Sequence, residues 1–461
     1  MSNQLDQRQE GRSAREQFYN STPTSRERYA EATEYMPGGS TRGVLFFDPY
    51  PVYADHGDGS RLTDVDGNEY VDFLNNYTSL IHGHAPEGPV NAAIEAIKND
   101  SAPGMPTEAE IGWARHLVER VPALDHVRFT NSGTEATMNA IRCARAYTGN
   151  DLIAKCEGVY HGTHDEAQVS VHPPTHLAGP RDDPEAVPDS AGVSDSTLDD
   201  VLVIPFNDPE AAVEKLERHR EELAGVLVAP LMGSAVVPAT DSFIDALDEF
   251  TSNADVPLVF DEVISFRVEY GGAAADYGVE PDLITFGKII GGGFPVGAFG
   301  GREELLAGYD PRGGSDIVHS GTFNANPVTA TAGTAALEAY TREEVSRING
   351  LCDSLVERSL EVADRHGYDI HITKRGSLFN IYLATVDIND YRDRERAHGE
   401  LTKELYFELL TRGVRLAPKL MGCTSTAMDN EDVDRFVEAF DESLAAIRPI
   451  VERRAPDLLV D

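Results

Sequence analysis

The sequence predicts an α/β fold with a largely parallel sheet, in a chain long enough for two domains or one large elaborated one. Three observations carry this reading. The chain has 461 residues, 41% of them hydrophobic, more than a single core normally organises. Between about residues 125 and 301, short apolar, β-branched runs alternate with helical patterns, as in a sheet covered on both faces. The residues richest in chemistry follow the ends of those runs, where such sheets gather ligands.

Seven runs mark the strands: 126–130, 152–155, 201–204, 225–228, 256–260, 283–286 and 296–299. The stretch 176–200 is rich in Pro, Asp and Ser and reads as a surface excursion. Residues 1–25 are polar and charged, and read as a flexible arm or short helix without a secretory apolar core. No run of ~18 apolar residues indicates a membrane span, and because 1–25 does not read as a signal peptide a cytoplasmic location is expected.

Asp and Glu number 78 against 39 Lys and Arg, a net charge of −39. Nucleic acids and anionic membranes demand a basic face, so neither is an expected partner. The acids are spread along the chain, and there are only seven lysines. This pattern suits a salt-rich, halophilic cytoplasm, where charge repulsion is screened. The cysteines at 143, 156, 352 and 423 form no CxxC pair and no zinc spacing, so no metal is expected.

Three motifs carry the chemistry. Asn131-Ser132-Gly133-Thr134-Glu135 follows the first strand and opens a helix that stops at Gly149. Its free N–H groups, hydroxyls and helix dipole make either a phosphate cradle or an ordinary N-cap. Asp261 and Glu262 end the apolar run 256–260. A carboxylate there needs a partner, which a protonated pyridine nitrogen would supply, or else it caps the next segment. Lys288 ends the run 283–286 ahead of a triple glycine, and desolvation would favour its neutral, nucleophilic amine.

Together these motifs resemble the class III aminotransferases, pyridoxal 5′-phosphate enzymes of fold type I. The similarity spans about residues 36–434. It rests on NSGTEA at 131–136, GVYHG at 158–162, FND at 206–208, FDEV at 260–263, TFGK at 285–288, Gly291 to Pro295, and HSGTFNANP at 319–327. The resemblance implies a large domain with a mostly parallel seven-stranded sheet at about 76–330. It implies a smaller α+β domain formed by 26–75 and 331–461, behind a flexible arm at 1–25. It implies that Lys288 anchors the coenzyme and shuttles the proton, that Asp261 partners the ring nitrogen, and that Val263 and Tyr160 cover the two ring faces. His161 lies beside Tyr160, Ser132, Gly133 and Thr134 hold the phosphate, and Asn207 lies near the phenolic side. Thr322 reaches the phosphate of the other subunit, so a homodimer is implied.

Two subgroups share the Pro37-Gly38-Gly39 start. Arg42 resembles the carboxylate-binding arginine of β-amino-acid aminotransferases, and its planar fork suits that task, with a surface ion pair as the alternative. Lys419 stands where that group has a basic residue, and is either a second carboxylate contact or a loop lysine. Tyr77 and Ser79 are expected in the pocket. Ala229-Pro230 replaces a common Glu-Pro, and the aminomutase pattern PGGVNSPVR and its C-terminal acid and histidine are absent. These features point to ping-pong transamination between a β- or ω-amino acid and a keto acid. The alternatives are glutamate-1-semialdehyde 2,1-aminomutase, and a catalytically silent dimer of the same fold.

Overall fold

The structure, a computed structural model, describes residues 13–233, 235–314 and 316–460. Its largest sheet has seven strands, in the spatial order His126–Thr130, Gly297–Gly301, Leu283–Gly287, Leu258–Asp261, Leu223–Val228, Leu152–Cys156 and Val201–Ile204. Gly297–Gly301 runs antiparallel to both neighbours, and the other pairs are parallel. The central strands are buried along their whole length, because helices cover both faces. That double burial explains their unbroken apolar runs.

The parallel register sets the site. Asp261 pairs with Thr285, so two polar residues come level at the carboxyl ends of adjacent strands. Gly297 pairs with both Gly287 and Thr130, and a Cβ on it would lie 2.0 Å from the Ser132 carbonyl oxygen. Only glycine lets the loop into the helix Gly133–Thr148 cross the sheet this closely.

A buttress supports the lysine turn. Trp113, on the helix Glu108–Arg120, stacks on Phe129 with ring centroids 4.0 Å apart and planes 7° from parallel. Its indole N–H donates to the Ile290 carbonyl at 3.1 Å, within the turn Lys288–Gly291. Such a stack contributes ~1 kcal/mol beyond burial and the hydrogen bond about as much again.

A second core joins the two ends of the chain. Phe18, Tyr50 and Phe73 pack with Phe379, Phe407 and Phe436, under the helices Arg342–Arg365, Gly399–Thr411 and Asn430–Arg454. The expectation of a flexible arm at 1–25 needs correction from residue 13 onward; residues 1–12 lie outside the described chain. Ser13 caps the helix Ala14–Ser21, whose Ala14 and Phe18 are buried, and a second helix runs Pro23–Thr33. One aromatic anchor outweighs the polar composition that suggested mobility.

The two cores are pinned together by Arg267, which is fully buried. It donates to Ser377 Oγ at 2.8 Å, to the Thr78 carbonyl at 3.1 Å and to the Thr424 carbonyl. Among the described residues, no helix is long and apolar enough to cross a membrane. No group of three or more His, Cys, Asp or Glu among them could hold a metal ion.

Candidate active site

A cleft of 560 Å³ opens over the carboxyl ends of the central strands, where the sequence places its chemistry. Lys288, Asp261, Val263, Tyr160, His161, Ser132, Gly133, Thr134, Arg42 and Ser79 all line it.

Asp261 is 7% exposed and closely held. His161 Nδ1 lies 2.8 Å from Oδ2, while Oδ1 accepts from Thr285 Oγ1 at 3.1 Å and the Val263 N–H at 3.1 Å. Burial alone would raise its pKa, but these hydrogen bonds, led by that from His161, hold it below the ordinary carboxylate range. Burial holds His161 neutral, against the opposing pull of Asp261. A carboxylate accepts only, so His161 donates through Nδ1, and its buried Nε2 has no partner among the described residues. The neighbouring Glu262 points the other way. It accepts from the Ala273 and Ala274 N–H groups at 2.6 and 2.8 Å, and burial raises it to about 7. Adjacent carboxylates thus divide into one that faces the cleft ionised and one that caps a helix.

Lys288 sits at φ +50°, in the left-handed region that non-glycine residues seldom adopt. No described residue takes its ammonium in a hydrogen bond. Burial lowers it to about 8, against the opposing charge of Asp261 and with help from Arg42. A substantial neutral fraction near physiological pH follows.

The helix Gly133–Thr148 begins at the cleft wall. Ser132 caps it, its Oγ accepting from the Glu135 N–H at 3.2 Å. Glu135 in turn accepts from the Asn131 N–H at 2.6 Å. The N–H groups of Gly133 and Thr134 keep no acceptor among the described residues, so cap and cradle coexist in one turn. A Cβ on Gly133 would meet Val263 Cγ1 at 2.9 Å, so only glycine lets the helix start come this close to that valine. Tyr160 keeps 45% of its surface exposed, an aromatic face turned to an open cleft. An orphaned lysine, a hydrogen-bonded carboxylate, two flanking side chains and free helix N–H groups match the aldehyde, ring nitrogen, ring faces and phosphate of pyridoxal 5′-phosphate.

Arg42 donates to Asn76 Oδ1 at 2.6 Å and stacks over Tyr77 at 5.3 Å. Its partners sit on an unusual turn: Asn75, Asn76, Tyr77 and Thr78 all have positive φ. The surface ion pair considered for Arg42 is not formed.

Four expectations need correction or fall outside the cleft. Asn207 does not reach it. Its strand, Val201–Ile204, lies at the sheet edge, three strands or about 14 Å from Asp261. It ties loops instead, donating to the Pro238 and Asn389 carbonyls at 3.0 and 2.8 Å. Tyr77 lines an adjoining aromatic cavity, shared with Arg42 and Asn76, where its hydroxyl donates to the Val44 carbonyl at 2.5 Å. Lys419 lines another cavity, beside Arg394 in the small domain. Thr322 is exposed and does not line this chain's own cleft. Sequence reasoning missed Thr285, Asn76, Thr137 and Leu231. Thr285 stands within TFGK, but its role depends on register between strands distant in sequence.

The Aminotransferase class-III family model matches residues 47–442. The glutamate-1-semialdehyde 2,1-aminomutase of Methanopyrus kandleri is 40% identical over 427 residues, covering 92% of this chain and 97% of that protein. A solved omega-transaminase from Sphaerobacter thermophilus is 43% identical with a TM-score of 0.89, covering 92% and 98%. A solved transaminase with PLP bound is 38% identical with a TM-score of 0.87, covering 94% and 99%. The expected ping-pong transamination of a β- or ω-amino acid is corrected by the curated relatives: six at 36–40% identity are aminomutases. The silent-dimer alternative falls too, since the chain is a class III enzyme with pyridoxal 5′-phosphate as its coenzyme.

The lowered Lys288 pKa sets a pH dependence. Below about pH 8, coenzyme capture by apoenzyme should quicken about tenfold per pH unit and level off above it, followed by visible absorbance. A profile still rising steeply at roughly pH 10 would contradict the desolvated amine.

Proposed function

The chain belongs to the class-III aminotransferases, and on that premise we propose that it is a glutamate-1-semialdehyde 2,1-aminomutase, moving an amino group between neighbouring carbons of one substrate. The observation that carries this reading is the near full-length similarity to six aminomutases. The cleft agrees with it: Arg42 is its one lining arginine, and glutamate-1-semialdehyde has one carboxylate. Substrate specificity toward that acid and the isomerisation itself are parts of the proposal.

Bound pyridoxal 5′-phosphate supplies an electron-withdrawing ring that accepts the electrons of a C–H bond beside the amine. Asp261, fixed by His161 and Thr285, stays ionised and holds a proton on the ring nitrogen. Lys288 Nζ takes a proton from the carbon bearing the amine and returns one at its neighbour. Ser132, Gly133 and Thr134 hold the phosphate still while the lysine leaves and returns. Arg42, braced by Asn76, keeps the substrate carboxylate in place between the loss of the amino group and its return. Ala229 and Leu231 form an apolar wall.

The test is conversion of glutamate-1-semialdehyde to 5-aminolevulinate by coenzyme-loaded enzyme with no added keto acid. Stoichiometric isomerisation is expected. No 5-aminolevulinate, with amino transfer from a β-amino acid to 2-oxoglutarate instead, overturns the assignment.

Two further parts of the reading concern assembly and milieu. Val318 is 80% and Phe323 57% exposed on the segment that carries Thr322, which supports a second copy covering it. The net charge of −39 supports a salt-rich cytoplasm. Sedimentation and thermal unfolding across a KCl series check both: a dimer that gains stability with salt is expected, and a monomer, or greatest stability at the lowest salt, contradicts them.

A further inference from the structure

The cavity around Lys419 has chemistry of its own. Its 500 Å³ lie between the N-terminal helix and the C-terminal domain, away from the lining of the coenzyme cleft. In a chain of net charge −39, its wall carries Arg15, Arg394, Lys403 and Lys419 against the carboxylates Asp48 and Glu395. Two of the cations are already engaged. Lys403 pairs with Glu400 at 2.6 Å, and Arg15 lies 3.7 Å from both Asp48 and Glu404.

Arg394 and Lys419 are different. Arg394 is 7% exposed, and its Nη1 is buried without a hydrogen-bond partner. Its only ion pair among the described residues is a loose one, Nη2 to Glu395 at 3.7 Å, beside a ring contact with Tyr391 at 5.5 Å. A guanidinium buried in this way is costly unless something pairs with it. Lys419 has no partner among the described residues. On the same wall, Asn380 is 2% exposed, and its Oδ1, a hydrogen-bond acceptor, is also buried and unpartnered.

An unsatisfied buried guanidinium, an exposed ammonium beside it and an unsatisfied buried acceptor suit one complementary ligand: an anion that accepts from Arg394 and Lys419 and still has a hydroxyl to donate to Asn380. A fully ionised carboxylate or sulfate lacks that proton, whereas hydrogen phosphate has it. We propose that this cavity is a hydrogen-phosphate site, separate from the coenzyme's phosphate cradle, held by Arg394, Lys419 and Asn380. The occupant would brace the N-terminal helix against the C-terminal domain, since Arg15 and Phe407 share the wall. The cavity also shares Phe47, Tyr406 and Pro418 with the aromatic cavity that reaches Arg42, so occupancy has a physical route to the substrate end of the cleft.

Calorimetric titration of coenzyme-saturated enzyme with inorganic phosphate, at fixed KCl, tests this with the cradle already filled. Saturable binding is expected, with sulfate at least about tenfold weaker for want of the donated hydrogen bond. Arg394→Gln should weaken phosphate at least about tenfold, and Lys419→Gln, at an exposed position that folding tolerates, should weaken it by a similar factor. Absence of saturable phosphate binding, sulfate binding equal to phosphate, or unchanged binding in Lys419→Gln would each overturn the proposal. The measurement needs no turnover, so its outcome is independent of the aminomutase assignment.

Discussion

The buried carboxylate of Asp261 is the constraint on which the rest of the site depends. An ionised group at 7% exposure is tolerated only if its neighbours satisfy it, and three do: His161, Thr285 and the Val263 N–H. Each comes from a different segment. The strand pair 258–261 and 283–287 supplies Thr285, the loop after Leu152–Cys156 supplies His161, and the chain just beyond Asp261 supplies the N–H. Fixing the charge therefore fixes the relative positions of these segments. The same charge opposes the effect of desolvation on Lys288, so the two groups are electrically coupled before any ligand arrives.

Desolvation by itself does not identify the anchor. Lys155 is also buried and also lowered to about 8, yet it donates to the Val169 carbonyl. Its amine is satisfied inside the large domain and presents nothing to the cleft. Lys288 has the same depressed pKa, an unusual backbone conformation, no hydrogen-bond partner and a position on the cleft wall. Position separates a reactive lysine from a structural one, and that position is secured by the Trp113 buttress beneath the turn.

Much of this was legible in the sequence because it is local. Short apolar runs marked the seven strands, most plainly the buried central ones, which are covered on both faces and have no polar side. The Ser132 cap and the Gly149 stop framed the helix Gly133–Thr148, and Asp261 and Lys288 each followed directly from a strand end. What was not legible depends on relations between distant segments. Asn207 also follows a strand, but that strand lies at the sheet edge, and strand order is not written in any one run. The left-handed turn at 75–78 that brings Asn76 and Tyr77 against Arg42 has no composition signal beyond two asparagines. Lys419 looked like a substrate contact because it follows a proline near the end of the family motif, whereas packing of the C-terminal domain places it with Arg394. The substrate class was misread for a related reason: short motifs around Arg42 and Lys419 weighed against the aminomutase, while similarity over the whole chain weighs for it.

The central claim is that Lys288, set by this geometry, is the coenzyme anchor. Reducing coenzyme-loaded enzyme with borohydride, digesting it and mapping the pyridoxyl-labelled peptide by mass spectrometry tests that directly. The account predicts a single label, on Lys288. A label on Lys155, or on any of the other five lysines, would contradict it.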